Sequence, residues 1–237
     1  LWEKDYNNGL EGKQKILTNG REEKVINLTI KQDALKPDEI IRLANKVAKA
    51  SDFKSISTIT STRKPYGLCT DVVGKHEKYG LPELQVSKEK EDDVRVWIKS
   101  GNIMYVPDKY PFPKKTEAFK WFKVFVPYAW GNMSEKKYLG GAFSDIIIAG
   151  PNEACTETYI ESGCFETYDK AEKHAKYLMT KFTRALLYVN KVSQHSTTAW
   201  DAVPIQDYSE GWWAKPISEL DACLFNKYGI EKDIAEF

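Results

Sequence analysis

The sequence predicts an α+β fold: antiparallel strands and hairpins, one long amphipathic helix, and a short C-terminal helix. Three observations carry that expectation. Short apolar runs flank turn residues at 12–28 and again at 94–107, the signature of β-hairpins. Apolar segments at 119–127, 144–151 and 155–165 have the length and composition of strands. Helical periodicity is concentrated late in the chain, over 167–195 and 217–229, so strands and helices are largely segregated.

In chain order, Asn19-Gly20 is the strongest turn signal of the first hairpin. Residues 37–50 begin at Pro37 and set Ile40, Ile41, Ala44, Val47 and Ala48 on one helical face. The β-branched run 53–62 predicts a strand with Ser and Thr on its alternate face. In the loop 63–71, Pro65 and Gly67 set a turn that leaves Arg63, Lys64 and Tyr66 projecting. The charged stretch 75–93 reads as an exposed connection, and 94–107 as a second hairpin around Lys99-Ser100-Gly101-Asn102. The prolines of 108–116 exclude regular structure. Beyond the strand at 119–127 lies a polar loop, 128–141, rich in Gly, Asn, Lys and aromatic residues. After the long helix the chain reads as irregular, with a short extended piece at 202–205. A last helix over 217–229 ends at Gly229.

Within 167–195, Ala171, Ala175, Leu178, Phe182, Ala185 and Val189 fall within roughly 80° of a helical wheel. Lys170, Lys173, Lys176, Lys181, Arg184 and Lys191 lie on the opposite side. An ordinary solvated face is the plainer reading of those lysines. Solvated faces usually interleave acids for i,i+4 pairing, however, and no Asp or Glu occurs between Lys173 and Trp200. A single-signed surface invites a polyanion.

With 42% hydrophobic and 13% aromatic residues in 237, the chain is globular rather than disordered. No apolar run approaches the roughly 18 residues of a membrane span and no signal peptide opens the sequence, which predicts a cytoplasmic protein. Leu1 stands where an initiator Met would, and the closing EKDIAEF reads as a helix start cut short, so an excised fragment of a longer protein is expected. The net charge of +1 conceals an acidic region after Asp201 and a lysine-rich one between Asp108 and Gly140. Cys69, Cys155, Cys164 and Cys223 are scattered without a CxxC pair, which predicts reduced thiols and no zinc.

No nucleotide cradle of the GxGxxG or GxxxxGK[ST] type is present, nor the Asn-Pro-Pro-aromatic loop of amino-methyltransferases. One nuclease pattern, Asp108 after Pro107 with Glu135 and Lys137, superficially suits a metal-dependent scheme, but Glu135 follows a Gly-Asn loop rather than lying on a strand. His195 near Ser193 and Ser196 lacks a distinct acid and oxyanion donors. Binding features are better represented. Basic residues interleaved with aromatics and amides occur at Arg63, Lys64 and Tyr66, at Trp130 and Asn132 with Lys136 and Lys137, and at Lys191 with Ser193, Gln194 and His195. Lys and Arg neutralise phosphates, while Arg, Asn, Gln and His can read base edges. A protein-interaction module with Trp200, Trp212 and Trp213 as an aromatic surface is a further possibility.

Several stretches then stand in a familiar order: KPYGLCTD, WFKVFVPYAWG, GPNEACTETYIESGCFET with AEKHAKYLMTKFTRALLYVNKVSQH, and AVPIQDYSE with ISELDACLFNKYGI. This order resembles the C-terminal target-recognition region of bacterial adenine-specific DNA methyltransferases of restriction-modification systems, particularly Type IIG-like enzymes that fuse methylase and endonuclease. The resemblance covers roughly residues 53–237, and TKFTRALL and DACLFNKYGI are its most specific parts. It implies that 53–237 is a non-catalytic DNA target-recognition domain and that 1–52 is a hairpin and helix bridging to an N-terminal catalytic domain. S-adenosylmethionine, with magnesium for any fused nuclease, would belong to the parent enzyme and no cofactor to this fragment. The partners implied are double-stranded DNA and the methyltransferase domain of the same parent chain, which flips the adenine that is methylated.

Overall fold

Turn chemistry, apolar periodicity and two separate cores shape the chain. A computed structural model describes residues 13–18, 21–27, 38–114, 116–129, 146–190 and 198–235. In chain order its elements are β1 (Lys13–Thr18), β2 (Arg21–Asn27), α1 (Asp38–Ala48), α2 (Val72–Lys75), β3 (Val94–Trp97), β4 (Ile103–Val106), β5 (Phe122–Pro127), β6 (Ile147–Ala149), β7 (Glu153–Cys155), β8 (Tyr159–Phe165), α3 (Tyr168–Met179), α4 (Lys181–Asn190), α5 (Ile217–Lys227) and α6 (Lys232–Ala235). Both expected hairpins form: β1 pairs with β2, and β3 with β4, each antiparallel. Strand β7 adds to β3 in parallel, so the sheet β4-β3-β7 is mixed. The other sheet, β6-β5-β8, is antiparallel throughout.

Strand β5 is the centre of that second sheet, and its alternation decides where the cores lie. Val124 and Val126 face a core filled by Ala171, Leu178, Phe182, Leu186 and their neighbours on the helices. Phe125, one residue out of phase, faces a second core with Tyr66, Val96, Val106 and Tyr159. The antiparallel sheet is thus buried on both faces, between the helices and the small mixed sheet. A bulge at Gly163 interrupts β8, since Lys123 pairs with Cys164 but Val124 with Ser162. Gly163 has φ +77, and a Cβ there would sit 2.6 Å from the Phe165 ring. Glycine is therefore required at this position on two counts.

Several expectations need correction. The long helix is two helices, because Thr180 is extended at ψ 153 and closes α3 while opening α4. Its hydroxyl accepts from the Thr183 amide at 3.2 Å and donates to the Tyr177 carbonyl at 2.7 Å, capping both ends. The apolar periodicity runs through the break because both helices bury a face in the same core. The run 53–62 is not a strand: Ile56–Ile59 form a 3₁₀ turn. Ser55 Oγ accepts from Ser57 N at 3.1 Å, and Thr58 and Thr60 donate to the Ser55 and Ile56 carbonyls. Local hydroxyl bonds displace most of the ladder there, leaving bridges from Ser55 to Pro204 and from Thr60 to Ser162.

The segment 155–165 is likewise divided, with β7 and β8 joining different sheets. On α1 the buried residues are Ile40, Leu43 and Val47, whereas Ala48 is exposed. Arg42 and Lys46 of the same helix pair with Glu231, and Arg42 also with Asp233, tying α1 to α6. The helix expected at 217–229 forms as α5, and Gly229 follows it with φ +57, before the short α6. All four cysteines are free. No helix among the described residues is long and apolar enough to cross a membrane.

Candidate nucleic-acid interface

The loop after the 3₁₀ turn starts at the sheet. Ser61 N donates to the Glu161 carbonyl at 2.7 Å, and Glu161 N donates to Ser61 Oγ at 2.9 Å, so the chain leaves from beside β8. Arg63 and Lys64 then turn outward with 54% and 38% of their side chains exposed. Lys64 takes a left-handed backbone, φ 60, and Gly67 follows at φ +79 with its α-carbon face against Pro113. The sharp turn between them drives Tyr66 inward.

Both cations converge on one acid. Arg63 reaches Glu157 Oε2 at 2.9 Å and Lys64 reaches the same oxygen at 3.5 Å. The Lys64 ammonium also donates to Cys69 Sγ at 3.0 Å. That hydrogen bond, with the Glu157 charge, holds the Lys64 ammonium above the usual lysine range. Glu157 is anchored from behind, since its Oε1 accepts from Thr70 N at 3.1 Å. The Arg63 guanidinium lies over the Tyr128 ring, 5.2 Å from its centroid. A charge excess of two cations over one anchored acid therefore faces outward here.

Tyr66 does not project, and that expectation is corrected: the residue has no exposed surface. Its ring packs edge-on against Phe119, Phe112 and Phe125, and its hydroxyl donates to Glu161 Oε2 at 2.8 Å. Burial pushes the phenol far above the ordinary tyrosine range. Around it Cys164 donates to Glu161 Oε1 at 3.1 Å, and burial pushes the Cys164 thiol up to about 12. Lys123, wholly buried on β5, donates to the carbonyls of Ala118, Trp121 and Gly150 at 3.0, 3.1 and 2.7 Å. Loss of solvent pulls its ammonium down to about 8, while the Glu161 and Glu153 charges oppose that fall. On the other sheet face, Ser162 Oγ lies 3.0 Å from His174 Nε2 and Tyr208 Oη 2.6 Å from His174 Nδ1. All three are buried, so this line of groups serves the fold.

Trp130, Asn132, Lys136, Lys137, Lys191, Ser193, Gln194 and His195 lie outside the described residues. The chain flanking those loops is described, and the 54–63 segment touches both flanks. Arg63 stacks on Tyr128, two residues before Trp130. Ser55 Oγ donates to the Trp200 carbonyl at 3.3 Å, and Ile56 N to that of Val203 at 2.8 Å, on the chain that follows His195. Glu157 and Tyr128 were not singled out from the sequence. No acid occurs between Phe53 and Thr70, so nothing local signals the partner of Arg63 and Lys64.

The lysine face also needs correction. Lys170, Lys173 and Lys176 pair with Glu166, Asp169 and Glu172 at 3.5, 2.7 and 3.7 Å, each one turn earlier. The acids entering α3 thus neutralise all three of its lysines. On α4, Lys181 and Arg184 have no such partner among the described residues. Trp200 and Trp213 are core residues, at 1% and 0% exposure, and of the three tryptophans expected at a surface only Trp212 keeps partial exposure. Asp108 sits in an exposed turn, while Glu135 and Lys137 lie outside the described residues. Among the described residues no group of three His, Cys, Asp or Glu converges to hold a metal ion.

No protein-family model and no curated protein matches this chain. Geometry and chemistry carry the functional reading.

Proposed function

We propose that the chain is a non-catalytic domain that recognises a specific sequence in duplex DNA, the specificity unit of a restriction-modification adenine methyltransferase. The observation that carries this reading is the placement of the 54–66 segment. It presents Arg63 and Lys64 outward while contacting the chain that enters 130–137 and the chain that follows 193–198. The described chain leading into one further segment rich in phosphate-neutralising and base-reading side chains, and the described chain following another, therefore both touch the segment that bears Arg63 and Lys64. The order of segments that resembles adenine methyltransferases supports the narrower assignment. In that reading the methyl donor and the flipped adenine belong to the catalytic domain of the parent chain, and this domain selects the site.

The test is fluorescence-anisotropy binding to a pool of random duplexes across a salt titration, with and without magnesium. Salt-dependent binding without cleavage is expected, followed by enrichment of one sequence on repeated selection. Magnesium-dependent cleavage lost in Asp108→Ala would replace this reading with a nuclease. Absence of binding at low salt by a chain rejoined to its catalytic domain would end it.

A further inference from the structure

Arg184 carries a charge that packing does not explain. Arg42, Arg63 and Arg95 each hold a carboxylate, on Glu231 and Asp233, Glu157, and Glu153 respectively. Arg184 is half-buried on α4 and holds none among the described residues. Its Nε is closed to solvent and meets no acceptor. No carboxylate among the described residues offsets the guanidinium charge there. Partial desolvation of an unpaired cation is costly, and an apolar side chain of similar length would fill the same space without that cost.

Lys181 lies three residues earlier, on the same side of the helix, exposed and in no ion pair among the described residues, although it lines a cavity together with Glu39. The start of α4 is already satisfied from within the fold. Phe182 N donates to Asp221 Oδ1 at 2.9 Å and Thr183 N to Thr180 Oγ1 at 3.2 Å. Whatever anion approaches this edge must therefore meet the Arg184 and Lys181 side chains rather than the helix amides.

We infer that Arg184 and Lys181 form a binding site for a backbone phosphodiester of duplex nucleic acid, with the two terminal Nη groups of Arg184 as the two-pronged donor, its Nε being closed to solvent, and Lys181 as a supporting charge. This rests on the DNA reading proposed above and adds to it a contact separate from the 63–66 loop. Phosphate contacts position a duplex without reading its sequence, so this edge contributes equally to all sequences. A side chain kept for binding at a cost to folding has a diagnostic signature: its removal moves stability and affinity in opposite directions.

The experiment compares wild type, Arg184→Met and Arg184→Lys by thermal melting with and without inorganic phosphate, and by anisotropy on random duplexes over a salt series. Arg184→Met should melt above wild type in the absence of ligand and lose the phosphate-induced rise in Tm. Its duplex affinity should fall about tenfold on every sequence, with a salt slope shallower by about one. Arg184→Lys should keep part of both effects. A lower Tm in Arg184→Met with the phosphate response intact would make the guanidinium a structural group and overturn the inference, as would unchanged duplex affinity. Should Arg184→Met fail to fold, Lys181→Gln at its exposed position carries the test: reduced phosphate response and affinity support the site, and no change in either overturns it. A phosphate response lost in Arg184→Met, with no duplex binding by wild type, would end the DNA reading and leave the anion site in place.

Discussion

The Tyr66 hydroxyl donates to Glu161 Oε2 at 2.8 Å inside the second core, joining side chains 95 residues apart. Glu161 holds that donor and the Cys164 thiol together, with only 8% of the residue exposed. The loop bearing Arg63 and Lys64 is pinned to β8 through this bond.

Replacing Tyr66 with Phe keeps the ring packing and removes one donor to a buried carboxylate. Stability should fall by about 2 kcal/mol, read as the urea midpoint at constant slope. Duplex affinity should stay within about twofold, because the ring has no exposed surface to offer DNA. A large loss of affinity with unchanged stability would contradict the inward placement of this side chain.

Lys123→Met should cost about 3 kcal/mol, since the carbonyls of Ala118, Trp121 and Gly150 lose their shared donor together. These carbonyls belong to the turn that enters β5 and the turn that leaves β6, together at one end of the antiparallel sheet. Hydrogen exchange should therefore quicken first at 117–121 and 150–153, before the helices respond.

His174 sets an acid limit on stability. Burial holds its folded pKa down to about 3, from 6.5 for the free side chain. Between those values the unfolded chain binds a proton that the folded chain refuses, so stability is retained above about pH 6.5 and declines as pH falls towards 3. The slope from this group approaches about 1.4 kcal/mol per pH unit. Denaturation midpoints from pH 7 to pH 4 should drop less steeply in His174→Gln than in wild type. Parallel curves for the two proteins would show that this ring does not set the acid response.

Glu157→Gln leaves an oxygen to accept from Thr70 N and removes the charge that Arg63 and Lys64 share. Non-specific duplex binding at low salt should strengthen about threefold, and the gain should vanish at high salt. Unaltered binding would mean that this loop does not face the duplex.

Turns and periodicity are local properties, and they were legible. Asn19-Gly20 and Ser100-Gly101 mark two hairpins that form, and Gly229 marks the end of α5. The apolar recurrence from Ala171 to Leu178 and again from Phe182 to Ala185 locates the buried face of each helix, because helix pitch sets it within each. Short-range side-chain bonds that periodicity does not register, and beyond them the tertiary structure, decided the rest. Thr180 breaks the helix because one residue serves as a cap for both halves. Ser55, Thr58 and Thr60 turn a β-branched run into a 3₁₀ turn by bonding their own backbone. Tyr66 turns inward because a second core lies beneath its loop, although its neighbours in sequence suggest an exposed basic patch. The acid that holds Arg63 and Lys64 arrives from beyond β7, far along the chain. Side-chain type sets which charges a segment carries, whereas only chain folding brings Glu157 to Arg63 and leaves Arg184 with no acid among the described residues, because electrostatic pairing depends on distance in space.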